Sequence, residues 1–236
     1  MIIKKYAGKI FATVASAVLL AASAHAALVG RDINGVAVLG SSAGSVFLYD
    51  TDLNITWLRN ANAGAGSSFD NGASSTDGRM TWANANNWAT TLTVGSYSGR
   101  RLPTTKQPDP TCSDSFVFPG FGIQSTGSGC TGSEMGHLWH TELGNAAGGP
   151  MTNTGNFQNI QNVQASGYWS GTDANAGKFD FFMINGSQGN LFVEADWSAL
   201  AVRPGDVLAP TQVPEPGTLL LAALALAGMG VVRRRR

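Results

Sequence analysis

Runs of strand-forming apolar residues predict β-structure at both ends of the central part of the chain. Residues 45–50 (SVFLYD) and 55–60 (ITWLRN) are such runs, and the turn-forming stretch TDLN separates them, so we expect a hairpin. Further along, Asn185-Gly186 lies between two apolar runs, and this dipeptide strongly favours a tight hairpin turn. A last strand is predicted in ALAVRPG, where Pro204 ends it.

Helical periodicity predicts two helices between these strands. In residues 80–92 (MTWANANNWATTL) one face collects apolar side chains at helical spacing: Trp82, Ala85, Trp88, Ala89 and Leu92. In residues 131–145 (TGSEMGHLWHTELGN), Thr131 and Glu134 fit a capping box and Gly144 is placed to end the helix. The apolar stripe between them contains Met135, Leu138, Trp139 and Leu143. The order of elements predicts an α+β fold with two helices and antiparallel strands, in which both ends of the domain contribute strands.

The first 26 residues have the three parts of a secretory signal peptide. Lys4, Lys5 and Lys9 form a positive segment, and an apolar run follows in residues 10–22. Ala24-His25-Ala26 then provides a small-residue cleavage site. We therefore expect cleavage after Ala26 and export of the remainder.

The C-terminus predicts a second membrane-directed segment. Residues 217–232 carry no charge and would form about 24 Å of helix, whereas a bilayer core is about 30 Å thick. Such a transmembrane helix is short, so the flanking cluster Arg233, Arg234, Arg235 and Arg236 would have to snorkel or the bilayer would have to thin. Terminal arginines favour the cytoplasmic side, which leaves the preceding domain outside.

Val213, Pro214, Glu215 and Pro216, followed by the apolar segment and the arginines, resemble the PEP-CTERM sorting signal of Gram-negative bacteria, here residues 213–236. The resemblance implies recognition by an exosortase, transient insertion in the inner membrane, and delivery to the cell surface or the exopolysaccharide matrix. The prolines suit a recognition signal of this kind because they keep the chain extended just before the membrane.

Removing both ends changes the charge balance of the chain. The whole sequence has 15 basic and 15 acidic residues, but residues 27–212 retain 8 basic and 14 acidic ones, a net charge of −6. An acidic domain without a basic run is a poor nucleic-acid binder, since phosphate binding needs clustered Lys and Arg. The two cysteines, Cys112 and Cys130, predict a disulfide in an oxidising compartment, and their spacing fits neither a redox nor a zinc motif.

Several short blocks in order resemble the Lcl C-terminal domain family: LYDTDLNITWLRNAN, MTWANANNWATTL, GRRLPT, SEMGHLWHTELGN, YWSGT and SALAVRPGDV. The likeness covers about residues 45–207, most of a domain that we place at residues 27–210. The resemblance implies a single C-type-lectin-like fold, related to that of the formylglycine-generating enzyme. It implies no activity, because a shared fold does not transfer one.

Two clusters are weak metal-site candidates. Glu134, His137 and His140 lie three residues apart on one helix flank, but this spacing lacks the zincin arrangement. Asp50 and Asp52 begin a run like an EF-hand loop, which then lacks the required Gly and Glu. We therefore expect no metal, no cofactor and no catalytic residues.

The chain has six tryptophans. Four are expected in the core because they lie in an apolar strand or helix stripe: Trp57, Trp82, Trp88 and Trp139. Trp169 and Trp197 lie near turn residues and are expected to be exposed. Together with the adjacent Tyr168, they are the candidate ligand-binding residues, since aromatic faces suit sugar stacking.

Three functional hypotheses follow from these observations. The first is a non-enzymatic surface or matrix protein processed by an exosortase. The second is a carbohydrate-binding module for extracellular polysaccharide, and the third is an enzyme acting on surface polymers. Free thiols would favour the third, whereas a bridged cysteine pair counts against it.

Overall fold

A computed structural model describes residues 28–161, 167–174 and 177–208. The predicted signal peptide, the transmembrane segment and the sorting signal lie outside these residues. Within them, no helix is long and apolar enough to cross a bilayer.

Twelve strands and three helical segments are present in the described residues. The strands are β1 (Leu28–Arg31), β2 (Ala37–Val38), β3 (Phe47–Asp50), β4 (Ile55–Leu58), β5 (Arg79–Met80), β6 (Asp114–Phe118), β7 (Gly122–Ser128), β8 (Tyr168–Asp173), β9 (Lys178–Phe182), β10 (Ser187–Leu191), β11 (Trp197–Ser198) and β12 (Val202–Pro204). The helical segments are α1 (Trp82–Thr91), α2 (Glu134–His137) and a π-helical segment, Leu138–Glu142, that continues α2.

The strands form two sheets. The five-stranded sheet has the order β12-β4-β3-β1-β2, so the first and last strands described both belong to it, as the sequence predicts. The seven-stranded sheet has the order β5-β11-β8-β9-β10-β7-β6. Pairing is antiparallel except between β11 and β8, which are parallel, a departure from the all-antiparallel expectation. The mixture of two sheets with short helices is consistent with an α+β fold.

The predicted hairpins are confirmed. β3 and β4 pair with Phe47 opposite Leu58 and Asp50 opposite Ile55, and Asn54 in the connecting turn has φ of 51°. β9 and β10 pair around Asn185-Gly186, where Gly186 has φ of 67°, a conformation that glycine adopts without steric cost.

The β3–β4 hairpin has a hydrophobic cluster on each face. Successive side chains of a strand point to opposite sides of a sheet. Leu48 and Trp57 therefore pack in one cluster with the α2 region, whereas Phe47 and Leu58 pack in the other with α1. The hairpin is thus the layer against which both predicted helices are placed.

The second predicted helix differs from its expected form. Only its first four residues are α-helical, and Leu138–Glu142 is a π-helix, in which hydrogen bonds join residues five apart. The Leu143 amide donates to the Leu138 carbonyl at 2.9 Å. Gly144 follows with φ of 64°, which confirms its predicted role as the helix terminator.

The hairpin of β6 and β7 was not predicted. Its pairing runs from Asp114 opposite Thr126 to Phe118 opposite Gly122. Val117 is exposed and the buried side chains of β7 are polar, Gln124 and Ser125, so the hairpin lacks the apolar buried face that gives a strand its usual sequence pattern.

Candidate functional site

The three aromatic residues predicted to bind a ligand are buried. Tyr168 and Trp169 are 0% exposed and Trp197 is 8% exposed. The expected exposure of Trp169 and Trp197 is therefore wrong. Because β8 and β11 are internal strands of the seven-stranded sheet, their side chains pack in the core although turn residues follow them in sequence.

The polar ends of these aromatic side chains are occupied by the fold. The Tyr168 hydroxyl accepts a hydrogen bond from the Gln161 amide at 2.8 Å. Trp169 Nε1 donates to the Met80 carbonyl at 2.8 Å, and Trp197 Nε1 donates to Asp180 Oδ2 at 3.0 Å. Of the four tryptophans predicted in the core, Trp57, Trp88 and Trp139 are buried, whereas Trp82 is only partly buried.

Cys112 and Cys130 form a disulfide, which confirms the predicted pairing. The bridge ties a position two residues before the β6–β7 hairpin to a position four residues before α2. With both cysteines bonded, the chain has no free thiol.

Two of the three helix residues considered as metal ligands have other partners. Glu134 receives two hydrogen bonds from the Arg101 guanidinium, at 2.6 and 2.7 Å, and one from the Thr104 amide at 2.7 Å. The N-cap of α2 is Ser133 and makes no side-chain capping bond. The predicted capping box of Thr131 and Glu134 is therefore wrong, because Glu134 instead anchors the helix to the Arg101 segment.

His140 has both ring nitrogens within hydrogen-bonding distance of backbone groups. Its Nε2 accepts from the Gly129 amide at 3.2 Å, and its Nδ1 lies 3.3 Å from the Asn145 carbonyl. Burial lowers the pKa of the His140 imidazole, although hydrogen bonds to the backbone at Asn145 and Gly186 oppose this. His140 therefore has a structural role, and the three helix residues considered as ligands do not converge on one site.

His137 instead faces two carboxylates that the helix-flank interpretation did not include. Its Nε2 lies 3.4 Å from Glu142 Oε1 and 4.0 Å from Asp52 Oδ2. One potential ligand atom from each of Asp50, His137 and Glu142 lies within 4.8 Å of the others. We call these three residues the acid–histidine cluster.

The π-helical segment explains why His137 and Glu142 meet. In an α-helix, residues three or four apart are neighbours on one face, and residues five apart diverge. The hydrogen bond from Leu143 to Leu138 widens the turn by one residue, which brings a pair five apart close together. Extra residues in a helical turn are frequent at functional sites.

Asp50 is held in the cluster by the turn after β3. Its Oδ1 accepts hydrogen bonds from the amides of Asp52 and Leu53, at 3.1 and 2.9 Å. Its Oδ2 accepts from Trp57 Nε1 at 3.3 Å. The EF-hand-like run is thus a turn, as its missing glycine indicates, and it fixes a fully buried carboxylate.

Glu142 is the least compensated member of the cluster. Its side chain is 1% exposed, and neither carboxylate oxygen has a hydrogen-bond partner among the residues that the structure describes. Burial, together with the nearby negative charges of Asp50 and Asp52, raises the pKa of Glu142 to about 7. Ionising a buried carboxylate that has no hydrogen-bond partner is energetically costly unless a cation lies beside it.

Residues 212–236 match the PEP-CTERM protein-sorting motif. The motif indicates an exported protein that is a substrate of an exosortase, with a C-terminal signal that is cleaved. The match includes Val213 to Pro216 and the four arginines that the sequence singles out, all of which lie outside the described residues.

No characterised protein and no solved structure matches the chain significantly. The resemblance to the Lcl C-terminal domain family, and the lectin-like fold that it implies, remain predictions.

Sequence reasoning identified His137, Asp50 and Asp52 individually but placed them in separate candidate sites. It did not consider Glu142. A spacing of five residues is unremarkable in an α-helix, and the sequence separation of 87 between Asp50 and His137 hides their proximity. The sequence contains one indication of this site: two carboxylates, Asp50 and Asp52, alternate at the end of an apolar strand.

Proposed function

We propose that the domain acts outside the cell as a non-enzymatic structural or interaction protein, on the surface or in the exopolysaccharide matrix of a Gram-negative bacterium. The sorting motif in residues 212–236 carries this proposal, because its removal by an exosortase releases the preceding domain on the outer side of the inner membrane.

The Cys112–Cys130 bridge supports an extracytoplasmic location. Disulfides form and persist in oxidising compartments and are rare in the cytosol. A bridge that closes a loop of 18 residues stabilises a fold by about 3 kcal/mol in the chain-entropy model, which suits a domain that must persist outside the cell.

The structural roles of the sequence-predicted candidates support a non-enzymatic role. Glu134 is bound by Arg101, and His140 is bound by backbone groups. Carbohydrate binding stays as the alternative from the sequence, but the aromatic residues chosen for it are buried and give it no support.

The test follows the C-terminal signal in vivo. An epitope placed after Arg236 should be lost from the wild-type protein in a strain with a working exosortase, and it should be retained when the exosortase gene is deleted. Glu215→Ala should also retain the epitope, and the protein should stay in the inner-membrane fraction. The matched control is Glu194→Ala, a change at an exposed glutamate outside the motif, which should be processed like the wild type.

Intact wild-type protein in the inner membrane of the exosortase-positive strain would contradict the proposal. The role of the released domain is tested separately on a glycan array, with and without calcium. No binding is expected for a structural protein, whereas specific binding would favour the carbohydrate-binding alternative.

A further inference from the structure

We propose that Asp50, His137 and Glu142 bind one divalent transition-metal ion, with zinc as the best match. The inference concerns the folded domain and is independent of the sorting motif. It rests on the distances within the acid–histidine cluster and on the missing partners of Glu142.

The distances fit a common metal centre. Zinc binds histidine nitrogen at about 2.0–2.1 Å and carboxylate oxygen at about 2.0–2.2 Å in tetrahedral sites. Two such ligand atoms are therefore about 3.4 Å apart, and His137 Nε2 lies 3.4 Å from Glu142 Oε1. The potential ligand atom of Asp50 lies within 4.8 Å of both, so a small contraction around an ion completes three ligands.

Glu142 provides the independent observation that a ligand belongs here. Its carboxylate is 99% buried and points at His137, and among the described residues neither of its oxygens receives a hydrogen bond. His137 Nε2 likewise lacks a hydrogen-bond partner among those residues. Buried charges in proteins are normally paired or bound to a metal, and a cation between these atoms would satisfy both side chains at once.

The surroundings of Asp50 resemble the outer shell of a metal site. Ligating carboxylates are usually oriented by further hydrogen bonds, and Asp50 accepts three, from Trp57 Nε1 and the amides of Asp52 and Leu53. Asp52 is half-exposed and lies 4.0 Å from His137 Nε2. It therefore stands at the solvent side of the cluster, where its carboxylate or a water molecule supplies the fourth ligand.

The ligand set selects the class of ion. Calcium and magnesium prefer sites made only of oxygen ligands, whereas an imidazole favours zinc and its neighbours in the first transition row. The bound ion would connect the turn after β3 to the π-helical segment. It would thus join two parts of the chain that are far apart in sequence, and we infer a stabilising role.

The test uses the exported, processed protein, purified without a polyhistidine tag. The mature chain contains two histidines, His137 and His140, and its two cysteines are bridged, so few competing zinc ligands remain. After treatment with a chelator, calorimetric titration with zinc should show one site. Binding should weaken at least about 100-fold in Glu142→Gln, since even outer-shell changes cost 10–100-fold. Glu194→Gln, the same change at an exposed position, should bind like the wild type.

Imidazole NMR signals provide a second measurement. Zinc should shift the ring resonances of His137 and leave those of His140 in place, because the nitrogens of His140 are engaged by backbone groups. Absence of zinc binding to the folded protein would overturn the proposal. Equal affinities of Glu142→Gln and Glu194→Gln, or a shift of His140 alone, would also overturn it.

Discussion

Two buried carboxylates in this domain have similarly raised pKa values in different surroundings. Asp180 lies on β9 beside Trp197, and burial raises its pKa to about 7 although the hydrogen bond from Trp197 opposes the change. Burial is also the main reason why the pKa of Glu142 is raised to about 7. The neighbours of Glu142, however, are an imidazole and two more carboxylates. The raised pKa is therefore uninformative by itself, and the neighbouring groups distinguish a structural acid from a candidate ligand.

The difference also distinguishes two regions. In the tryptophan region, which comprises Trp169, Trp197 and Asp180, each indole nitrogen donates to a group of the protein. Asp180 has one oxygen bonded to Trp197, although its Oδ1 has no hydrogen-bond partner among the described residues. In the acid–histidine cluster, both oxygens of Glu142 and the facing His137 Nε2 lack a hydrogen-bond partner among those residues. We interpret the first region as core and the second as a site.

The largest expected effect on the stability of the fold comes from a substitution in the tryptophan region. Trp169→Ala removes a fully buried indole and its hydrogen bond to Met80. Truncating a buried aromatic residue costs about 3–5 kcal/mol, so the free energy of unfolding in urea should fall by that amount. The control is Phe192→Ala, at a residue that is 67% exposed. This variant should change the free energy of unfolding by less than about 0.5 kcal/mol. Similar small losses in both variants would contradict the assignment of Trp169 to the core.

The next effect is the pH dependence caused by Asp180. Its pKa is raised from 3.8 in the reference state to about 7 in the folded protein, so the folded state binds more protons between these values. Stability contributed by this group is therefore full below about pH 4 and decreases as the pH rises to about 7. Each pH unit is worth about 1.4 kcal/mol, which predicts a loss of a few kcal/mol.

Asp180→Asn should remove this contribution, because the amide stays neutral and its oxygen still accepts from Trp197. Urea unfolding at pH 5 and pH 8 should give a smaller difference for the variant than for the wild type. Glu142 contributes a slope of the same sign, so the informative quantity is the difference between the two proteins. Identical pH profiles would show that Asp180 is ionised in the folded state.

A moderate effect is expected for Glu134, the partnered carboxylate on α2. Glu134→Gln removes the charge that Arg101 and the Thr104 amide bind, and hydrogen bonds to charged groups contribute about 1.5–3 kcal/mol. Since Arg101 is about one-third exposed, we expect a loss of about 1 kcal/mol in urea unfolding at pH 7. An unchanged stability would mean that the Arg101–Glu134 pair is not formed in solution.

For Glu142 we expect an effect on stability of similar size to that of Glu134, with the opposite sign. In metal-free protein at pH 8, Glu142→Gln replaces a buried charge that has no hydrogen-bond partner among the described residues with a neutral amide. Stability should rise by about 1 kcal/mol, whereas Glu194→Gln should leave it unchanged. With excess zinc the order should reverse, because a ligand at 100 times its Kd stabilises the wild type by about 2.7 kcal/mol. Destabilisation of metal-free Glu142→Gln would show that the carboxylate is already well paired.

Local patterns in the sequence were sufficient for many elements. Asn185-Gly186 specified the β9–β10 hairpin, the apolar face of residues 80–92 specified α1, and the two cysteines specified the bridge. Val213 to Pro216 and the arginines specified the sorting signal. Each of these depends on neighbouring residues or on a motif with few alternatives.

The errors arose where burial depended on the sheets. Trp169 and Trp197 follow or precede turn residues, yet β8 and β11 lie inside the seven-stranded sheet, and residues far away in sequence cover them. The β6–β7 hairpin escaped prediction for the opposite reason, because most of its apolar side chains are exposed and its buried side chains, Gln124 and Ser125, are polar.

The sequence by itself determined how this protein is sorted, the acidic charge of residues 27–212, the disulfide and two of the hairpins, since these follow from short-range chemistry. Only the tertiary structure decided which aromatic residues are core and which carboxylates meet. The acid–histidine cluster needs the turn after β3 to lie against the helical segment and a π-helical turn to align His137 with Glu142. No local pattern reports such a meeting, because it depends on contacts across 87 residues of chain.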